Sequence, residues 1–145
     1  MDSDVVNEAL LYLGECAITE LVVDLLKSRV SIRMLNEREL TVEHVVGFEE
    51  LGSVFYAAGQ GVGRFRLTLP TDEGGWNMAA HYPSGAATVA PSAISDPWTE
   101  LYRGVPNFGI TLGGNGALLI EARRVIIDGK VYEVGFADPA WTGIR

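Results

Sequence analysis

An α+β fold is predicted for this chain: mainly an antiparallel β-sheet of hairpins and meanders, with an N-terminal helix and one short helix near residues 97–103. Three observations predict it. Apolar residues recur at helical spacing at the start of the chain, period-two alternation marks the later segments, and 17 glycines supply turns for short strands. The length of 145 residues fits a single domain, 1–145. At that size a domain hides about 68–70% of its unfolded surface. With 48% hydrophobic and 21% charged residues, the chain is globular rather than disordered.

The first element is the helix. Ser3 or Asp4 can cap it by accepting from the orphan N–H groups of the first turn, and Asp4 and Glu8 complement its dipole. Val5, Val6, Ala9, Leu10 and Leu13 fall on one face, and Gly14 is expected to supply a left-handed stop. A hairpin follows. Leu21, Val23 and Leu25 alternate against Val30, Ile32 and Met34, which predicts Leu25 opposite Val30, Val23 opposite Ile32 and Leu21 opposite Met34 on a buried face. Glu20, Val22, Asp24, Ser31 and Arg33 then make a mostly wet face. The turn at Leu26-Lys27-Ser28-Arg29 lacks Gly and Asn, so a four-residue loop on a type I turn is expected.

Beyond a polar turn at Asn36-Glu37-Arg38-Glu39, Val42, Val46 and Phe48 alternate, and residues 54–56 read as a further strand. Phe65, Leu67 and Leu69 form another, with Arg64, Arg66 and Thr68 on its half-solvated side. Residues 76–82 are expected to pair back across Asp72-Glu73-Gly74-Gly75. Residues 83–93 read as loop with a short strand near Thr88-Val89. Asp96 then caps the short helix, Pro97 takes the first helical position, and Gly104 follows its end.

The last third is a three-stranded meander, 107–136. A two-residue Asn115-Gly116 turn would place Ile110 opposite Glu121 and scatter apolar residues over both faces. A three-residue loop, Gly114-Asn115-Gly116, pairs Leu112 with Leu118, Ile110 with Ile120 and Phe108 with Ala122, and is preferred. Asp128-Gly129 signals a tight turn pairing Val125 with Tyr132 and Ile127 with Lys130. Leu118, Ile120 and Ala122 are even positions, whereas Val125 and Ile127 are odd. The inward face must therefore switch near Arg123-Arg124, through a bulge or a sharp bend.

Net charge is −8, which opposes binding to nucleic acid or to an anionic membrane and favours a basic protein partner. A solubilising surface explains the same acidity. Cys16 is the one cysteine, so no intrachain disulfide can form, and a reducing compartment is favoured. The acidic start lacks signal-peptide character, and no apolar run spans a bilayer. A cytoplasmic location is the default, with export of a disulfide-free protein by another route left open.

Little in the chain carries chemistry. Gly59, Gly61 and Gly63 resemble part of a phosphate loop, but Arg64 stands where the fingerprint needs glycine and a strand follows, so a flexible turn is the better reading. No metal spacing occurs. His44, in phase with Val42 and Val46, reads as a core or edge histidine bonded to backbone. His81, beside Tyr82-Pro83, is the better candidate for exposure. Cys16 reads as a small buried hydrophobe, because nothing nearby would activate its thiolate. No catalytic, cofactor-binding or metal residue is assigned, and no cofactor is expected.

Surface remains. Trp76, Tyr82, Trp98, Tyr102 and Trp141 fall in or beside loops and the short helix, where aromatics serve either as binding anchors or as seals on the core. Glu37, Glu39, Glu43, Glu49-Glu50 and Asp72-Glu73 could steer a basic partner. The candidate interaction surface is Asp72, Glu73, Trp76, His81, Tyr82, Trp98 and Tyr102.

The order of the helix, Leu13-Gly14-Glu15-Cys16, the hairpin 18–34, Pro106-Asn107-Phe108-Gly109-Ile110 and Leu119-Ile120-Glu121-Ala122 up to Asp128-Gly129 resembles small bacterial domains of the toxin-immunity class. The resemblance covers the two ends of the chain and not its middle. It implies a protein that binds and neutralises a partner, often through an acidic surface when the toxin is a basic nuclease, and it carries over no catalytic residue. The expected function is thus a non-enzymatic, immunity-like protein-binding domain. The alternatives are a small-molecule-binding or hydrolytic β-domain with a pocket near 70–102, lined by Trp76, His81 and Tyr82, and a structural subunit of a homo-oligomer.

Overall fold

The computed structural model describes residues 3–36, 38–39, 41–58, 65–68, 79–82, 88–91, 105–112 and 116–137. The fold is mostly antiparallel sheet with one N-terminal helix. Helix α1 (Ser3–Leu11) tightens into a 3-10 turn (Tyr12–Glu15) that leads directly into β1 (Cys16–Asp24). Val6, Leu10 and Leu13 are buried and Ala9 packs against them, as the spacing predicts, but Val5 is 44% exposed. The buried stripe is narrower than five residues, which fits a helix lying across one end of a sheet. Gly14 is not left-handed: positive φ among the described glycines is confined to Gly116, Gly129 and Gly135. The 3-10 turn ends the helix instead, with Cys16 N–H donating to the Leu13 carbonyl.

Strands β2 (Arg29–Asn36) and β3 (Glu43–Ala58) follow, then β4 (Phe65–Thr68), β5 (Ala79–His81), β6 (Thr88–Pro91), β7 (Phe108–Thr111), β8 (Gly116–Ile127) and β9 (Lys130–Glu133). The main sheet runs β1-β2-β3-β8-β7-β5. One side of β8 pairs with β3, and its other side pairs with β7 at residues 117–120 and with β9 at 124–127. A separate two-stranded sheet joins β4 to β6. Thr88 and Val89 are thus in a strand, but Ala79–His81 pairs with β7 rather than back onto Phe65–Thr68. The Gly59–Gly63 run, the 72–75 turn and the 97–103 helix lie outside the described residues.

The first hairpin has the expected loop length and face in a different register. Val23 pairs with Val30 and Leu21 with Ile32, closing on residues 25–28, with Ser28 at φ +54°. Thr19 is bulged out between the pairs Ile18–Met34 and Glu20–Arg33. Val30, Ile32 and Met34 are buried, whereas Leu21, Val23 and Leu25 are 39%, 43% and 76% exposed. Leu21 and Val23 lie on the edge strand, and among the described residues no strand pairs with the outer side of β1. Asn36 closes the next turn by accepting from Arg38 N–H at 2.9 Å and Glu39 N–H at 3.0 Å.

β3 is one continuous strand of 16 residues, where two were expected. Glu50 adopts φ +54° and Gly52 is the extra residue between the pairs Leu51–Ala122 and Ser53–Glu121. The face of β8 changes where predicted. Leu118, Ile120 and Ala122 are buried on one side of Arg123, and Val125 and Ile127 beyond it. Both strands take the step together, since Phe48 faces Val125 and Leu51 faces Ala122, while Arg123 and Glu50 form no ladder pair.

The β7–β8 turn also keeps the predicted face and loop length, one residue earlier on each strand. Ile110 pairs with Leu118 and Phe108 with Ile120, and Leu112 N–H reaches the Gly116 carbonyl at 2.8 Å across residues 113–115. Gly116 has φ +123°. The Asp128-Gly129 turn matches in full: Val125 faces Tyr132, Ile127 faces Lys130, and both turn residues have positive φ, the mark of a type I′ turn. The core is centred on Phe48 and Phe108, whose rings meet edge to face at 5.0 Å.

Candidate interaction surface

Of the expected surface residues, His81 and Tyr82 are described; Asp72, Glu73, Trp76, Trp98 and Tyr102 lie outside the described residues. His81 is not exposed. It is 4% accessible, and its ring lies 4.8 Å from that of Phe108. Asn7 of α1 grips its backbone, with Oδ1 accepting from His81 N–H at 2.7 Å and Nδ2 donating to its carbonyl at 3.0 Å. Burial lowers its pKa below the ordinary histidine value, because desolvation disfavours the charged ring. Tyr82 is half-buried, and its N–H donates to the Asn107 carbonyl at 2.7 Å. The two residues are sheet and core in their described contacts.

His44 is half-buried, as expected, but its partner is a side chain rather than backbone. Its Nδ1 lies 2.6 Å from Asp128 Oδ2, while Asp128 Oδ1 accepts from Val45 N–H at 2.8 Å. The carboxylate of the type I′ turn thus fixes the imidazole and ties that turn to β3. Cys16 is a 2%-exposed member of the core. Among the described residues no group of His, Cys, Asp and Glu is arranged to hold a metal ion, and no helix is long and apolar enough to cross a membrane.

Of the acids expected to steer a partner, Glu43, Glu49 and Glu50 are engaged in ion pairs, and Glu37, Asp72 and Glu73 lie outside the described residues. Arg124 meets Glu49 at 3.3 Å, Glu50 at 3.1 Å and Glu133 at 3.3 Å; Arg123 meets Glu50, and Arg29 meets Glu49, each at 3.7 Å. Glu43 pairs with Arg33 at 3.0 Å. The twin acids and twin arginines face each other at the step where both strands leave regular pairing. This cluster compensates strand geometry. A cavity of about 200 Å³ lies beside it, lined by Leu25, Ser28, Leu51, Gly52, Ser53 and Val54. That is smaller than the roughly 300–1,000 Å³ of small-molecule sites.

The surface that stands out lies on β1, whose Leu21 and Val23 were expected on the buried face and whose Val22 was expected on the wet one. Leu21, Val22 and Val23 are 39–44% exposed, and Leu25 and Leu26 in the following turn are 76% and 100% exposed. One face of this edge strand thus exposes Leu21 and Val23, and the other exposes Val22 between Glu20 and Asp24. A signal was present in the consecutive run Leu21-Val22-Val23, which is too apolar for a strand with one wet face.

No curated protein and no solved structure matches the chain. The sequence model of the YxiG-like protein family matches residues 6–132, from the buried face of α1 into β9, and the chain belongs to that family.

Proposed function

We propose that this chain is a non-enzymatic protein-binding domain of the immunity kind, which holds a partner protein and neutralises it. The observation that carries the reading is the apolar strip on β1 and its turn. Soluble proteins seldom leave consecutive large apolar residues open on a sheet edge unless another chain covers them. A net charge of −8 favours a basic partner by steering encounter. His81, expected to line a hydrolytic or small-molecule pocket, is buried against Phe108.

The test is neutralisation. The product of the gene next to this one is expressed in a sensitive cell with and without the chain. Growth arrest relieved by co-expression is the expected result; an absence of toxicity, or arrest that co-expression does not relieve, counts against the reading.

A further inference from the structure

We infer that β1 is the docking strand, and that its occupant is an extended segment of a basic protein that adds to the free edge of the sheet. This rests on the protein-binding reading above. β1 pairs with β2 on one side, and among the described residues no strand pairs with its other side. Past the bulge at Thr19, residues 20–24 keep unbroken register from Glu20–Arg33 to Asp24–Arg29. That stretch has no lysine or proline, two of the devices by which natural edges refuse a further strand.

The side chains select the occupant. Glu20, Val22 and Asp24 share one face, and Leu21 and Val23 share the other. A second copy added antiparallel about Val22 would set Glu20 against Asp24 of its mate twice over, a like-charge pairing that destabilises strands. Shifting the register by two residues would instead put Glu20 against Val22. Each copy also carries a charge of −8. A strand with Lys or Arg four residues apart, and apolar residues between, meets Glu20 and Asp24 with cations while covering Leu21, Val22 and Val23. Glu20 is free to exchange partners, because its contact with Arg33 is a 3.7 Å pair with both side chains more than half exposed. Leu25 and Leu26 extend the apolar contact beyond the end of the strand.

Hydrogen–deuterium exchange tests this on the full chain with two synthetic peptides. One alternates valine and threonine and carries two lysines four residues apart; the other has glutamate in place of both lysines. The lysine peptide is expected to slow exchange in residues 20–24 by about tenfold or more at saturation, and the glutamate peptide to leave it unchanged. Leu21→Lys/Val23→Lys, and separately Val22→Lys, should remove the protection while unfolding at the wild-type temperature to within a few degrees. Equal protection by both peptides, or protection by neither, overturns the inference. So does a wild-type dimer in light scattering that the double variant disperses, because a second copy is then the occupant. A partner captured equally by wild type and double variant removes β1 as the docking strand but leaves protein binding standing. A chain that captures no partner at all removes both.

Discussion

Asn7 and His81, 74 residues apart, are joined by both ends of one side-chain amide, at 2.7 Å and 3.0 Å. Tyr82 N–H bonds to the Asn107 carbonyl, which makes His81–Phe108 a non-bonded pair of the ladder. The His81 N–H and carbonyl therefore point away from β7, and Asn7 meets them as a further strand would. Asn7→Ala leaves both groups without that partner. The expected loss is about 1–3 kcal/mol in urea unfolding. Asn7→Asp keeps the acceptor but sets a carboxylate oxygen against the His81 carbonyl, so it should also be less stable than wild type.

His81 also sets a pH dependence. Its folded pKa is lowered by burial, so the unfolded chain takes up a proton that the folded protein refuses. Stability should fall as pH drops below about 6.5, by up to about 1.4 kcal/mol per unit, until pH reaches the folded pKa. Nδ1 has no hydrogen-bond partner among the described residues, so His81→Leu loses no bond there. Urea midpoints measured across this range should vary less with pH in the variant; parallel curves would contradict this account of His81.

Gly52 is required by a close approach. A Cβ there would lie 2.6 Å from Glu121 Oε1 and 2.8 Å from its Cδ, and the Glu121 side chain is fully buried with Oε1 bonded to Ser53 Oγ at 3.1 Å. At Gly47 the nearest atom is the tip of Arg29 at 3.2 Å, which can move. Gly52→Ala should therefore cost about 1–3 kcal/mol, and Gly47→Ala within roughly 0.5 kcal/mol of nothing. Thermal unfolding of the pair separates steric crowding at the bulge from a general effect of adding a methyl group.

Asn107 bridges the junction where β7 and β9 meet along the edge of β8. Its Nδ2 donates to the carbonyls of Ala122 and Gly135, both at 2.8 Å, and its Oδ1 accepts from Ala122 N–H at 3.0 Å. The amide supplies pairing just before Arg123, where the ladder to β3 is interrupted. Asn107→Asp sets a carboxylate oxygen against two carbonyls in a site 1% exposed. It should destabilise by more than about 3 kcal/mol and more than Asn107→Ala, an order that equilibrium unfolding can check.

What the sequence revealed and what it hid follow from the range of the interactions. The Asp128-Gly129 turn is local chemistry and was legible to the residue. Parity placed Phe108 and Ile110 on the face of Leu118 and Ile120, and required the change of face at Arg123. Register was off by one residue on each strand in both longer loops, because loop length and face leave that choice open. The exposure of Leu21 and Val23 depends on β1 being the sheet edge, and the burial of His81 depends on Asn7 far away in the chain. Neither relation is written in a local pattern. Glu49-Glu50 looked like free acids because their partners, Arg123 and Arg124, come from the other end of the sequence.

Purification of the full chain from its native host, under conditions that preserve nanomolar complexes, is the decisive test of protein binding. The chain should emerge in a stoichiometric complex with a basic protein. A chain that emerges with no macromolecular partner contradicts the proposed function.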